Sequence, residues 1–493
     1  MKAGILIVFL LLLPQLAIAA EENSRPAVDS LSEAFAQGQI KGLLRYSAQY
    51  RDSDLHVLQD SSSPDVADEK KQQYSAIGGF LGFETAPWYN IAGGLTFYTS
   101  NPIGNNPDDR RGLGGLDESD GGQDAYNVLG EAFLKFDSGA HMLKTGRQEV
   151  SGYRFVSQSN IRMTPVTHQG TIYENSSVED LVLKFGYINK QKERNATEFI
   201  GMVRAARVET GCGAVDANGN CSNTATRKLI RGDFDPTDYD SEGNYHGDTK
   251  DLPLVGGIYT GEKITLEAWD YYAEDFVNTV YFYGQYRFDP FAGDYAIALA
   301  AQYGDQQDVG DSVAGDIDTW FYGFSFQLNG PGMTFFTNYN EVEYNEGSYD
   351  GGTIFVRWGT PQMFNSFQVQ DSELAGTKSL GAGFQYDFGR QGILPGVVMR
   401  IRYGYYDMPD KVTQADARQD RSEATFDLRY SFTRDSGFGI FTEMEGLSLQ
   451  FRLAYNDYDT DLDIAAFKAI HGYEFDTITN DFIDARIYLD YHF

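Results

Sequence analysis

The last residues of the chain, "ARIYLDYHF", alternate in character. Phe493, Tyr491, Leu489, Ile487 and Ala485 are apolar; His492, Asp490, Arg486 and Asp484 between them are polar, with Tyr488 amphipathic. A period of two is that of a β-strand with one oily face and one wet face. The theme recurs from Ile40 to the end: strand, short turn, strand, longer polar loop. It predicts eighteen strands, at roughly 40–51, 75–86, 91–100, 125–136, 141–149, 180–192, 197–209, 253–261, 264–274, 277–289, 294–305, 316–329, 332–345, 378–389, 396–407, 421–433, 447–457 and 482–493.

The connections sort by length. "APWYN" (86–90), "DSGA" (137–140), "TGEK" (260–263), "DPFAGD" (289–294) and "NGPG" (329–332) carry turn chemistry and follow even-numbered strands. Most links after odd strands are long and acidic: 101–124, 150–179, 210–252, 346–377 and 458–481, with a brief exception near Glu274-Asp275. Short turns then gather at one end and long loops at the other. The fold class expected is all-β, a single 18-stranded antiparallel transmembrane β-barrel with short periplasmic turns and long extracellular loops. A set of soluble β-sandwiches is the alternative. It should show linkers between cores, and neither a Pro/Ser-rich linker nor a shift in composition is found. Closure leaves no unpaired edge, and a last strand that pairs with the first has reason to run to the terminal Phe493.

The amino terminus adds a compartment. Residues 1–20, "MKAGILIVFLLLLPQLAIAA", carry Lys2, an apolar run from Ile5 to Leu13 and Ala17-Ile18-Ala19, the layout of a secretory signal peptide. A periplasmic segment, 21–39, and a barrel, 40–493, are expected to follow. Phe and Tyr are abundant, 34 and 33, while mean hydropathy is only −0.40, as alternating faces average to a mildly polar chain. The net charge of −32 disfavours nucleic acid as a partner. Cys212 and Cys221, in "CGAVDANGNC", favour a small local disulfide in an exported protein, with two free thiols as the rival.

Eighteen strands enclose a lumen too wide for strand side chains to fill. Alternation places Arg400 and Arg402 (in "VVMRIRYGYY"), Arg429 beside Asp427, Arg452, Arg486 and, on the first strand, Arg45 on the inner wall. These strands are consecutive around the closure. A row of guanidinium forks suits the handing-on of carboxylate or phosphate groups. The bland alternative is that the arginines pair with Asp427, Asp484 and Asp490 and merely solvate the wall. The 150–179 stretch is expected to fold inward and narrow the channel.

"TGRQEVSG" followed by "NIRMTPVTHQG", "LEAWDYYAEDFVNTVYFYGQYRF" (266–288) and "LSEAFAQGQIKGLLRYSAQYRD" resemble the outer-membrane porin D (OprD) family of Gram-negative bacteria. The resemblance spans essentially the whole mature chain. It implies an outer-membrane location and a substrate-selective channel for small carboxylate-bearing solutes, amino acids or aromatic acids, with an arginine ladder and an acidic pocket at the constriction. Carried onto this chain, the ladder is Arg45, Arg400, Arg402, Arg429, Arg452 and Arg486. The constriction liners are Arg147, Tyr153, Arg154, Ser157 and Arg162, with Glu179 and Asp180 as acidic counterparts or ordinary loop-end charges. No cofactor is called for. The partners implied are the bilayer and lipopolysaccharide, small anionic or zwitterionic solutes, and the outer-membrane assembly machinery acting through Phe493; the resemblance permits either a monomer or a loose homotrimer.

Other signals are weaker. "NDYDTDLD" sets Asp457, Asp459, Asp461 and Asp463 at alternate positions, but it lacks the central Gly and distant Glu of a calcium loop and reads better as a solvated acidic loop. A barrel enzyme would need a nucleophile–base pair, and six histidines with no GxSxG offer no convincing set. A surface-structural barrel with a blocked pore and a non-selective porin stay open as alternatives.

Overall fold

The computed structural model describes residues 27–57, 66–118, 121–202, 250–290, 294–312, 315–355, 358–359, 362–409, 420–433, 445–459 and 478–493. Its strands are β1 (Gln39–Val57), β2 (Val66–Glu84), β3 (Ile91–Pro102), β4 (Tyr126–Asp137), β5 (His141–Gln148), β6 (Thr167–Val178), β7 (Leu181–Lys192), β8 (Ile200–Gly201), β9 (Leu252–Thr260), β10 (Ile264–Ala273), β11 (Val277–Phe288), β12 (Ala296–Asp308), β13 (Asp318–Gly330), β14 (Met333–Val342), β15 (Lys378–Asp387), β16 (Val397–Asp407), β17 (Arg421–Ser431), β18 (Leu447–Tyr458) and β19 (Ile478–His492). Each pairs antiparallel with its neighbour, β7 pairs with β9, and β19 pairs with β1, so the sheet closes. Eighteen strands make the ring, and the two-residue β8 is a stub on the upper end of β7.

The expected count of eighteen survives through two compensating differences. The 150–179 link contains a full strand, β6, which Thr167–Val178 contributes to the wall. The strand expected at 197–209 is described only as Ile200–Gly201, and 203–249 lie outside the described residues. Glu179 and Asp180 form the tight β6–β7 turn, with Asp180 at φ +61, so they belong to the periplasmic end and not to a constriction.

Closure rests on the last residue. Phe493 and Gly42 exchange backbone hydrogen bonds of 3.1 and 2.8 Å, and the Phe493 ring lies against Gly42 where a Cβ would stand. The outer face is apolar: Leu44, Leu81, Phe282, Phe324, Leu380, Ile401 and Tyr403 are all exposed. In a bilayer such a face meets acyl chains. Near the upper rim outward tyrosines give their hydroxyls to carboxylates, Tyr50 to Asp52, Tyr405 to Asp420 and Tyr455 to Asp481, at 2.8, 2.6 and 2.8 Å. At the lower rim a short helix, α1 (Leu31–Ala36), is capped by Ser30 and stacks Phe35 on Phe83.

Candidate functional site

Two long loops occupy the lumen. The first, residues 149–166, leaves β5 and crosses the barrel. At one wall Arg154 makes a two-pronged ion pair with Glu267 of β10, Nε to Oε2 at 2.6 Å and Nη2 to Oε1 at 2.5 Å, and its guanidinium lies 4.4 Å from the Tyr283 ring centre. Tyr153 is fully buried beside Trp269, and its carbonyl accepts a 2.9 Å bond from the Tyr271 hydroxyl. Burial opposes the charge on Arg154, but Tyr281 and Glu267 outweigh it and hold the guanidinium firmly protonated. Arg154 itself stands at φ +50, a strained backbone that these contacts pin.

At the other wall the loop meets β1 and β19. Arg45 bonds both oxygens of Asp490 at 2.7 Å and turns Nη1 to the loop, reaching Asn160 Oδ1 at 3.0 Å and the Arg162 carbonyl at 2.5 Å. The Tyr488 hydroxyl donates to the Ile161 carbonyl, and Arg162 donates to Gln49. In the ring of eighteen, β1 is first and β11, which bears Tyr283, is tenth. The loop is therefore a chord across the lumen, tied at opposite walls.

The second loop, between β14 and β15, includes the 346–377 link expected outside the barrel; its described residues lie within the lumen instead. Its Trp358 carbonyl accepts from Ser157 N–H at 3.1 Å, which joins the two loops, and meets His168 Nε2 at 3.2 Å. Three successive amides, Gln368, Val369 and Gln370, donate to the buried Glu423 carboxylate of β17 at 2.8, 3.1 and 2.6 Å. Gln368 also reaches Asp484 of β19 at 2.9 Å, and the Tyr406 hydroxyl bonds the Asn365 carbonyl at 2.7 Å. The sequence offered a signal for this course: "MFNSF" and Trp358 are too apolar for a loop in water.

The two loops build an apolar core inside the barrel. Phe155, Val156, Phe355, Trp358 and Met363 pack on inward-facing Trp269, Tyr271, Tyr281 and Phe321. This core covers part of the inner wall of β9–β14, beside inward polar side chains such as Gln302, Gln306 and Asn340.

The six ladder arginines all project inward, but they divide. Arg45 is bound to Asp490, Arg486 to Asp484 at 2.6 Å, and Arg452 to Asp427 at 3.1 Å. Among the described residues Arg400 hydrogen-bonds Gln385, at 2.6 and 3.0 Å, with Asp427 its cross-strand neighbour, and Arg402 meets the Thr425 hydroxyl and the Phe367 ring, neither in an ion pair. Arg429 has no hydrogen bond or ion pair among the described residues. Arg400, Arg402 and Arg429 sit on adjacent strands, below the loop segment held by Glu423. Half of the ladder is therefore ion-paired to the aspartates that the bland reading named, and the other half makes no such pair among the described residues.

Of the expected constriction liners, Tyr153, Arg154, Ser157 and Arg162 lie on the chord. Arg147 does not. It shares a face of β5 with exposed Leu143 and Thr145, packs on Phe199 at 4.3 Å and bonds Gln169, so it points out of the barrel. A residue missed from sequence is Glu149, at the root of the loop, whose N–H donates to Glu131 at 3.0 Å. Burial, then the charge of Glu131, pushes the Glu149 carboxyl up to about 7. Cys212, Cys221, Asp461 and Asp463 lie outside the described residues. Among the described residues no three His, Cys, Asp or Glu side chains come together as a metal site, Asp457 and Asp459 included.

A closed antiparallel barrel with an apolar exterior and loops folded into a charged lumen is the build of a porin. The model of the outer membrane porin OprD family matches residues 104–476, more than half of the chain, and the protein belongs to that family. It is accordingly an outer-membrane porin channel of a Gram-negative bacterium. Similar solved structures include OccK9 (OpdG) of Pseudomonas aeruginosa, at 18% identity and TM-score 0.68 over 93% of this chain and 99% of that one. OccAB3 of Acinetobacter baumannii follows at 17% identity and TM-score 0.67, covering 92% and 99%. OpdK of P. aeruginosa with vanillate gives 17% and 0.65, covering 93% and 99%. At such identities the likeness is one of fold. No curated protein matches the chain.

Proposed function

We propose that the protein passes small carboxylate-bearing solutes, amino acids or aromatic and organic acids, by passive diffusion along the wall formed by β16 and β17. The observation that carries this is the set of three lumen guanidiniums, Arg400, Arg402 and Arg429, without a carboxylate partner among the described residues. Guanidinium charge not taken up in an ion pair, in a narrowed channel, attracts the opposite charge, and planar forks match carboxylate geometry. The structural neighbour solved with vanillate, an aromatic carboxylate, is in keeping with this class of solute. The same reading takes residues 1–20 as a removed leader, 21–39 as periplasmic, lipopolysaccharide as the outer-leaflet neighbour, and Phe493 as the signal for the assembly machinery.

The test is single-channel conductance of the mature protein in planar bilayers, with benzoate or an amino acid added to one side. Carboxylates are expected to reduce the current reversibly, and Arg400→Ala/Arg429→Ala to lose that block. A steady current that carboxylates leave unchanged would refute the solute class. Absence of any current from heat-modifiable barrels would favour a surface-structural role.

A further inference from the structure

The chord's second anchor holds a charge imbalance. Arg486 is 2% exposed; its Nε is bound to Asp484 and its Nη2 to the Gln368 carbonyl, while Nη1 is buried with no hydrogen-bond partner. Among the described residues the Arg162 side chain of the first loop makes one hydrogen bond, to the Gln49 side-chain oxygen at 2.8 Å, and no ion pair. The two guanidiniums are linked through that glutamine: Gln49 Nε2 donates to Asp484 Oδ2 at 2.8 Å, and Asp484 Oδ1 takes the Arg486 bond. Arg51 also binds Asp484, at 2.9 Å, and Arg45 is satisfied by Asp490. Among the described residues four guanidiniums, Arg45, Arg51, Arg162 and Arg486, thus share two carboxylates, Asp484 and Asp490. Tyr74 and Tyr488 are the further neighbours of Arg162, and Arg194 of the same region donates to Ser159. Burial, then the charges of Arg486 and Arg194, presses the Arg162 guanidinium down to about 10.

Buried charge without a counter-charge is costly, and a buried donor without an acceptor adds to that cost. We infer that a small monovalent anion of the halide class is resident between Arg162 and Arg486 Nη1, bridging the constriction loop to the closing strand β19. Arg162 is partly exposed and Arg486 is buried, so the site opens on the Arg162 side and is closed by Arg486. This anion is a fixture of the gate and not cargo. It is distinct from the open stretch at Arg400, Arg402 and Arg429, and it holds whether or not carboxylates are the solutes.

The test uses the mature full-length protein. Crystals grown in bromide should give an anomalous peak in contact with Arg162 and Arg486 Nη1, and crystals of Arg162→Gln should lose it. Arg162→Gln keeps the barrel's own ion pairs, so it is expected to fold. In solution, replacing chloride by gluconate, too large for the site, should lower the heat-modification midpoint of the wild type and leave that of Arg162→Gln unmoved. A water in place of the peak, or equal sensitivity of both proteins to the anion exchange, would overturn the inference. A bromide peak that persists undiminished in Arg162→Gln would do the same, because it would mark an adventitious ion only.

Discussion

Replacing Glu423 with alanine removes the acceptor of three consecutive loop amides. Bonds to a carboxylate contribute about 1.5–3 kcal/mol each when water cannot substitute. Here the vacated volume adjoins the lumen, and water can enter to meet the freed donors. Taking about 1 kcal/mol per amide, the loss is roughly 3 kcal/mol for the segment 368–370. That is on the order of a hundredfold in its local opening equilibrium. Gln368–Asp484, Gln370–Asn456 and Tyr406–Asn365 remain, so the segment should loosen and not leave. The backbone ladder of β17 with β16 and β18 is untouched. Hydrogen exchange of the peptide spanning 366–371 should therefore accelerate about a hundredfold, with heat modifiability retained and the open-channel current noisier. Unchanged protection of those amides would refute the latch, and so would a barrel that fails to fold at all.

Three further outcomes follow from the contacts. Glu149 is neutral below about pH 7 and anionic above it; with its carboxyl raised, its contribution to stability is greatest at acid pH and is lost as pH rises through about 7, while cation preference in reversal-potential measurements should rise over the same interval and Glu149→Gln should abolish the change. Arg154→Ala leaves Glu267 buried and unpaired, and should cost about 3–5 kcal/mol in denaturant unfolding, with Arg154→Lys a poor rescue because it lacks the second prong. Gly42→Val sets a side chain where the Phe493 ring lies; overpacking of about 1–3 kcal/mol should lower the heat-modification midpoint, and Gly93→Ala, which meets nothing closer than 3.5 Å, should not.

Strands were legible where the barrel wall is wet inside and oily outside. Around the closure, from "VVMRIRYGYY" to "ARIYLDYHF", both the strand faces and the inward arginines follow from alternation alone. β6 escaped because its polarity is partly reversed: Thr171 and Asn175 share the outward face with Tyr173, while Ile172 faces in and is buried. The cause is non-local, since an inner face reads as wet only where water reaches it, and loops 149–166 and 343–377 exclude water there. The same effect hides the dry wall of Trp269, Tyr271, Tyr281 and Phe321. Charge state was less legible still. Alternation says that Arg452 and Arg429 both point inward, but the pairing of one with Asp427 and the freedom of the other depend on register and rotamer.

A chord fixed at opposite walls has a mechanical meaning. A hollow cylinder of one sheet's thickness resists stretching along its hydrogen bonds far better than it resists being squashed into an ellipse. Loop 149–166 joins β1 and β19 to β10 and β11, through hydrogen bonds at one end and the Arg154–Glu267 ion pair at the other, like a tie-beam between facing walls. Lateral pressure from a crowded, stiff outer leaflet would otherwise change the pore's shape from moment to moment. With the brace in place, the width of the passage is set by the protein and not by the membrane around it.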